Sequence, residues 1–265
     1  MPCQDGDGPH RRWGRGATKL AVLFDHVGIR VSDKTASERF YEAVLTPIGI
    51  AKVMTAAKIA GFGNYEFFVG LGEHEDAVTR RLHVAFAVPS RKLVDQFWRI
   101  GTGAGYESDG EPGERPQYRD DYYGAFLLDP DGNSVEAAHH GGMRTGGAID
   151  HMWLRVTDVA ASTAFYETIA PYARLFVRRV NDERTQLIGE SGSFSVVSGE
   201  ATRNVHIAFP TGEDATVDDF HRAAIAAGHR DNGPPGERRY HPGYYAGFVL
   251  DPDGNNIELV NHNRS

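Results

Sequence analysis

Residues 122–133 read YYGAFLLDPDGN, and residues 244–255 read YYAGFVLDPDGN. Other segments recur at the same distance: PGER at 112–115 returns at 235–238, and HVAF at 83–86 returns as HIAF at 206–209. Because the offset is 122 or 123 residues for each of these segments, the match indicates an internal repeat rather than coincidence. The chain is therefore a tandem duplication of one unit.

The repeat divides the 265 residues into four predicted segments. These are a leader at 1–20, a first domain at 21–140, a linker at 141–147 and a second domain at 148–263. The leader has no apolar run of the kind found in secretory signals, so we expect it to be a disordered extension or the result of a start site placed too far upstream. The linker is rich in glycine, which favours a flexible connection.

Composition narrows the range of partners. The net charge is −8 and the basic residues are scattered, which argues against a nucleic-acid or anionic-membrane partner. No apolar stretch is long enough to cross a membrane, and Cys3 is the only cysteine, so a reducing compartment such as the cytoplasm is expected. The predicted partner is a small molecule, bound by a monomer or a homodimer.

Hydrophobic periodicity predicts the fold class. Residues 25–31 alternate as a strand, Ser32 or Asp33 can cap a following helix, and that helix carries an apolar face before Pro47. Short strands follow at 52–59 and 65–71, and the cycle restarts at His83. Each copy thus contains two βαβββ units. The predicted class is α+β, with a cupped mixed β-sheet in each of two tandem domains and the helices outside.

Strand alternation also predicts a metal site. Three polar residues of the first copy point away from the apolar face of their strands, namely His26, His83 and Glu136. The second copy repeats this arrangement with His151, His206 and Glu258. If the strands curve into a cup, these side chains line its concave face. Two imidazoles and one carboxylate would leave positions open for water or substrate, as a catalytic metal site requires.

The chain resembles the vicinal oxygen chelate superfamily, which includes glyoxalase I, bleomycin-resistance proteins and extradiol dioxygenases. The resemblance is carried by the strand starts DHV at 25–27 and DHM at 150–152, the FY pairs at 40–41 and 165–166, and the two DPDGN turns. It implies a divalent metal, such as Zn, Ni, Mn, Co or Fe(II), in each copy. The implied ligand sets are His26, His83 and Glu136, and His151, His206 and Glu258.

The resemblance also implies differences between the copies. Glyoxalase-like members have a second glutamate on the fourth strand, for which Glu66 is the candidate, whereas the second copy has only serine there. Extradiol enzymes add a histidine and a tyrosine, for which His241 and Tyr244 or Tyr245 are candidates, since Val249 stands at the usual tyrosine position. Arg119 replaces His241 in the first copy. The predicted catalytic residues are Glu136, Glu258, His241 and Tyr244.

Three functions follow as hypotheses. The first is a divalent-metal, glyoxalase-like enzyme in which the metal stabilises an enolate-type charge and a carboxylate moves a proton. The second is an Fe(II) extradiol-type dioxygenase centred on the second domain. The third is a protein that binds an antibiotic or metabolite without catalysis, as bleomycin-resistance proteins do. The remaining candidates were interpreted as surface or terminal residues: Cys3, His139, His140 and His262.

Overall fold

The computed structural model describes residues 22–141 and 147–263. The predicted leader at 1–20, with Cys3, lies outside the described residues, as does most of the predicted linker at 141–147.

The first copy contains two βαβββ units in sequence. Its elements are β1 His26–Val31, α1 Lys34–Leu45, β2 Lys52–Thr55, β3 Ile59–Phe62, β4 Phe67–Leu71, β5 His83–Ala87, α2 Arg91–Gly103, β6 Ser108–Glu114, β7 Tyr123–Leu128 and β8 Ser134–His139.

The second copy repeats this order and confirms the predicted arrangement. Its elements are β9 Ile149–Val156, α3 Val159–Ala173, β10 Phe176–Asn181, β11 Arg184–Ile188, β12 Ser193–Ser198, β13 His206–Pro210, α4 Asp214–Ala226, β14 Arg230–Glu237, β15 Tyr245–Leu250 and β16 Asn256–Asn261.

Helix α1 shows how local sequence sets an element. Its N-cap is Asp33, whose carboxylate accepts hydrogen bonds from the backbone N–H groups of Thr35 and Ala36. The helix ends at Leu45, and the chain leaves through a short 3₁₀ turn to Gly49, where φ is 94°. The predicted apolar face, Phe40 to Leu45, is the buried one. It covers the outer side of the sheet, as the pattern indicated.

The two DPDGN turns connect the last two strands of each copy and hydrogen-bond to the segment that precedes a histidine strand. In the first turn, the Asp129 carboxylate accepts from the backbone N–H groups of Asp131 and Asn133. The buried Asn133 amide then donates to the carbonyl of Thr79 and accepts from Leu82, just before β5. Asn255 makes the equivalent contacts with Thr202 and Val205, just before β13. Each turn thereby places its glutamate strand beside the strand of a candidate histidine.

Two mixed eight-stranded sheets form the body of the molecule, with the helices outside, which confirms the fold class. Their strand orders are β14-β15-β16-β13-β1-β4-β3-β2 and β10-β11-β12-β9-β5-β8-β7-β6. Strand β1 pairs antiparallel with β13, and β5 pairs antiparallel with β9. Each sheet therefore joins the first unit of one copy to the second unit of the other copy.

A contiguous hydrophobic core lies on the helical side of the two sheets and extends across both copies. Phe24 of the first copy, for example, lies 6.1 Å, centroid to centroid, from both Phe194 and Phe209 of the second. Within the described ranges, no helix combines the length and the apolar character needed to cross a lipid bilayer.

Candidate metal sites

The six predicted ligands lie in two clusters of three, and each cluster takes residues from both copies. The first site consists of His26, His206 and Glu258, and the second site of His83, Glu136 and His151. In each, one atom from every side chain lies within 4.8 Å of the others. The grouping implied by the family resemblance, three ligands from one copy, is therefore corrected. The crossed pairing of β1 with β13 and of β5 with β9 is the reason.

Strand register explains how each cluster converges. In the first site, Ala208 on the central strand β13 is in register with both His26 and Glu258. In the second site, Ala85 on β5 is in register with both Glu136 and His151. Because alanine is small, the side chains on the two flanking strands can approach each other across it. The histidine of the central strand, two residues earlier, completes each set.

The distances within the two sites are similar. In the first site, Nε2 of His206 lies 3.0 Å from Nε2 of His26 and 2.8 Å from Oε2 of Glu258. In the second site, Nε2 of His83 lies 3.3 Å from Nε2 of His151 and 3.0 Å from Oε2 of Glu136. Both glutamates are almost fully buried, whereas the histidines are partly exposed to solvent.

An aspartate orients one histidine in each site. Nδ1 of His26 donates to Asp25 at 2.9 Å, and Nδ1 of His151 donates to Asp150 at 2.8 Å. With the proton on Nδ1, the lone pair of Nε2 faces the cluster. Two imidazole nitrogens and a carboxylate oxygen thus converge, and such a set of acceptors fits a divalent cation. A carboxylate behind a ligating histidine is a common support in metal sites.

The charge states of the first site also suit a cation. Burial lowers the pKa of His206 by more than the neighbouring Glu258 raises it, which favours the neutral imidazole. Burial raises the pKa of Glu258, but the hydrogen bond and charge of His206 and the charge of His26 have the larger effect. The pKa of Glu258 is therefore below its ordinary value. Glu258 is therefore held as a carboxylate. Metal ligands need these forms, since a protonated histidine or carboxyl group offers no lone pair in the required direction.

A buried tyrosine contacts the other oxygen of each glutamate. The Tyr122 hydroxyl donates to Oε1 of Glu136 and the Tyr244 hydroxyl to Oε1 of Glu258, both at 2.6 Å. Burial and the adjacent carboxylate raise the pKa of both tyrosines, so they remain protonated donors. The tyrosines fix the carboxylates and leave Oε2 facing the histidines. Of the neighbouring pair, Tyr244 lies in this position, whereas the Tyr245 hydroxyl donates to Asp218.

Glu66 does not lie with either cluster, contrary to its prediction as a fourth ligand. It occupies the turn before β4, and its carboxylate accepts a hydrogen bond from the backbone N–H of Ala148. The β4 residue in register with Gly28 is Phe68, whose ring centroid lies 5.7 Å from that of His26. Ser195 holds the equivalent place in the second site. Within the part of the chain that the structure describes, each cluster has three ligating side chains.

Two histidines interpreted as surface or terminal residues support the sites instead. Nε2 of His262 donates to Asp25 at 2.8 Å, and His140 contacts Asp150 at 3.2 Å. His139 is also partly buried, with Nδ1 bonded to the carbonyl of Val88. The shared repeat position of His140 and His262 was the available sequence signal. Both follow a strand end, where alternation no longer indicates which way a side chain points.

His241 extends this network in the first site alone. Its Nε2 lies 2.8 Å from Nδ1 of His262, and the two rings stack with centroids 5.1 Å apart. A chain of contacts thus leads from His241 through His262 and Asp25 to His26. Although His241 belongs to the second copy, it serves the cluster containing His26. Its counterpart Arg119 pairs with Asp121 on the surface.

Sequence comparison identifies a family. The chain matches the family described as Glyoxalase/Bleomycin resistance protein/Dioxygenase superfamily over residues 23–137 and 148–259. An uncharacterised protein from Pseudomonas aeruginosa is 33% identical over 122 residues, which represent 42% of this chain and 86% of that protein.

Structural comparison finds similar architectures among solved structures. Glyoxalase I from Zea mays has a TM-score of 0.64 and 19% identity, over 90% of this chain and 92% of that chain. A candidate dioxygenase from Bacillus subtilis has a TM-score of 0.61 and 15% identity, over 91% of this chain and 86% of that chain. At these identities the likeness concerns the fold alone.

Proposed function

Because the chain belongs to the Glyoxalase/Bleomycin resistance protein/Dioxygenase superfamily, we propose that it is a divalent-metal enzyme acting on a small molecule with neighbouring oxygen atoms. One observation carries the proposal: in each site, two histidine nitrogens and one glutamate oxygen converge on a common point. Three protein ligands leave coordination positions for two substrate oxygens, whereas a purely structural metal site has a closed ligand set.

In each site, three residues would bind the metal ion and an aspartate would orient one of the histidines. His26, His206 and Glu258 would hold one ion, and His83, Glu136 and His151 the other. A bound divalent cation would polarise a substrate oxygen and stabilise negative charge that develops on it. Asp25 and Asp150 keep one histidine of each site in the ligating tautomer.

The glutamates would also move the substrate proton in a glyoxalase-like reaction. Glu258 is held as a carboxylate, and Oε2 would have to leave the ion in order to accept the substrate proton. The Tyr244 hydroxyl, bonded to Oε1, stabilises the carboxylate and limits its rotation. Glu136 and Tyr122 have the same arrangement in the second site. This assignment makes the reaction a proton transfer next to a carbonyl group.

Proton transfer can be tested before the natural substrate is known. The protein, loaded in turn with Zn, Ni, Mn and Co, would be incubated in D₂O with α-hydroxy ketones, and C–H exchange followed by NMR. We expect exchange that is lost in the Glu136→Gln/Glu258→Gln double variant. Failure to take up any metal would contradict the proposal and favour ligand binding without catalysis. Exchange that is unaffected by the double variant would contradict the role of the glutamates.

An Fe(II) dioxygenase is a second candidate, and one observation favours it. Phe68 and Ser195 stand at the positions beside the ligands, and among the described residues each cluster consists of two histidines and one glutamate. This set is typical of Fe(II) oxygenases, which need open positions for substrate and O₂. Anaerobic loading with Fe(II), followed by O₂ uptake with a panel of catechols, distinguishes the candidates. Uptake would favour dioxygenase chemistry, and its absence with every catechol would count against it.

A further inference from the structure

The two sites have similar ligands but different walls. Gly28 on β1 faces His206, and a Cβ atom at this glycine would lie 3.4 Å from the His206 Cβ. In the second site, the equivalent residue is Trp153, whose ring centroid lies 5.7 Å from that of His83. Conversely, Phe68 of the first site is replaced by Ser195 in the second. The aromatic residue that differs between the sites therefore lies on β4 in the first site, as Phe68, and on β9 in the second, as Trp153.

The Arg184 guanidinium lies over the ring of Trp153 in a cation–π contact. The guanidinium carbon of Arg184, on β11, lies 4.9 Å from the Trp153 ring centroid, and Nε donates to Oγ of Ser195 at 3.2 Å. The small serine leaves the space that Phe68 fills in the first site. By strand register, Ile59 occupies the position equivalent to Arg184. The first site has a half-buried arginine of its own, Arg30 on β1, whose charge acts on His206. The cation stacked on Trp153, however, has no counterpart at the same position of the first site.

Among the residues that the structure describes, Arg184 has no carboxylate as a counterion. The charged neighbour that acts on it most is another cation, Arg178. Burial, followed by the positive charge of Arg178, lowers the pKa of Arg184. A partly desolvated guanidinium without a counterion is stabilised when an oxyanion arrives.

We propose that the second site takes a substrate with a carboxylate, which Arg184 binds while a flat part of the molecule packs against Trp153. The Arg184 guanidinium reaches across β12 to the Trp153 ring, and that ring lies beside His83. One aromatic ring or a short conjugated spacer would therefore separate the metal-chelating oxygens of the substrate from its carboxylate. The inference rests on the proposed function, because it assumes that the substrate binds the ion held by His83, Glu136 and His151.

Calorimetric titration of a protein with only the second site intact would test this inference. The His26→Ala/His206→Ala variant removes two ligands of the first site, and the protein would be loaded with Zn. The probes are 3,4-dihydroxybenzoate and its neutral amide, which share the neighbouring oxygens and the ring. We expect the carboxylate to bind roughly 10- to 100-fold more tightly, as a charge-assisted hydrogen bond would give.

Variants assign the preference to Arg184. Arg184→Met keeps much of the packing on Trp153 but removes the charge, so the preference should disappear while the amide binds as before. Arg184→Lys should keep part of the preference and serves as a second variant if the methionine variant misfolds. Arg155→Met, an exposed arginine on the same face of β9, is the matched control and should behave as the parent.

The outcomes separate the two proposals. If the parent variant takes up no metal, the proposed function fails. If it takes up metal and binds the two probes equally, or if Arg184→Met keeps the preference, only the carboxylate inference is overturned.

Discussion

Asp25 and Asp150 would not contact a metal, but they determine the tautomer and orientation of one histidine in each site. Each accepts the Nδ1 proton of a cluster histidine and thereby turns the Nε2 lone pair toward the other ligands. Each also contacts a further histidine, His262 or His140. Hydrogen bonds from His140 and His151 overcome the effect of burial and lower the pKa of Asp150, so it remains an acceptor.

We therefore predict that Asp25→Asn and Asp150→Asn each weaken metal binding at their own site. Loss of such a carboxylate typically costs roughly 10- to 100-fold in affinity. Competition titration with a zinc chelator would show one weakened and one unchanged site in each variant. Asp33→Asn, at the cap of α1, is the control and should leave both affinities unchanged. Equal weakening of both sites by either variant would contradict the assignment.

Tyr244 gives a prediction about stability. Tyr244→Phe keeps the ring but leaves the buried Oε1 of Glu258 without its donor. In the metal-free protein this should lower the free energy of unfolding by about 1–3 kcal/mol. Urea unfolding would measure the change. Tyr245→Phe is the matched control, because its hydroxyl reaches Asp218 near the surface, and the loss there should stay below about 0.5 kcal/mol. Equal losses would argue against the buried contact.

Periodicity predicted the helices, most strands and the face of each ligand strand, but the predicted strand at 52–59 is β2 and the first residue of β3, separated by a turn at 56–58. It misplaced Glu66, because the aromatic run at 65–68 suggests that the strand begins early. In the structure Tyr65 has a φ of 62°, so the chain turns there and β4 begins at Phe67. A shift of one or two residues at a strand end decides whether a carboxylate reaches a site, and alternation does not determine that boundary.

The Glu38 carboxylate on helix α1 forms ion pairs within the helix and with strand β2, and its contribution to stability depends on pH. Glu38 bonds Lys34 at 2.5 Å and Lys52 at 2.9 Å. Burial opposes its ionisation, but the hydrogen bonds from these lysines outweigh burial and lower its pKa from 4.5 to about 2. Because the folded-state pKa is the lower one, Glu38 stabilises the fold above about pH 4.5, and this contribution declines as the pH falls toward 2.

We predict that Glu38→Gln is less stable than the parent at pH 7, and that the difference shrinks at pH 3.5. Urea unfolding of both proteins at the two pH values would test this. Glu42→Gln is the control, since Glu42 is more exposed and has one ion pair, with Lys52, so its effect should be smaller. A difference that is independent of pH would contradict the linkage.

In the whole molecule, the first unit of each copy pairs with the second unit of the other copy. The internal repeat alone does not predict this pairing. Strands β5 and β13 carry the same His-apolar-Ala-Phe pattern, and either could in principle lie beside β1 with its histidine facing the cup. The six ligands and their faces follow from local alternation. Their grouping follows from long-range strand pairing, which local patterns do not encode.

Each candidate metal site combines ligands from both copies, and metal stoichiometry in two double variants can test this arrangement. His26→Ala/His206→Ala removes two ligands from one site, whereas His26→Ala/His83→Ala removes one ligand from each. Both would be reconstituted with Zn and measured by elemental analysis after removal of weakly bound metal. We predict one tightly bound ion per chain in the first variant and none in the second. One ion in His26→Ala/His83→Ala and none in His26→Ala/His206→Ala would contradict the sharing of each site between the copies.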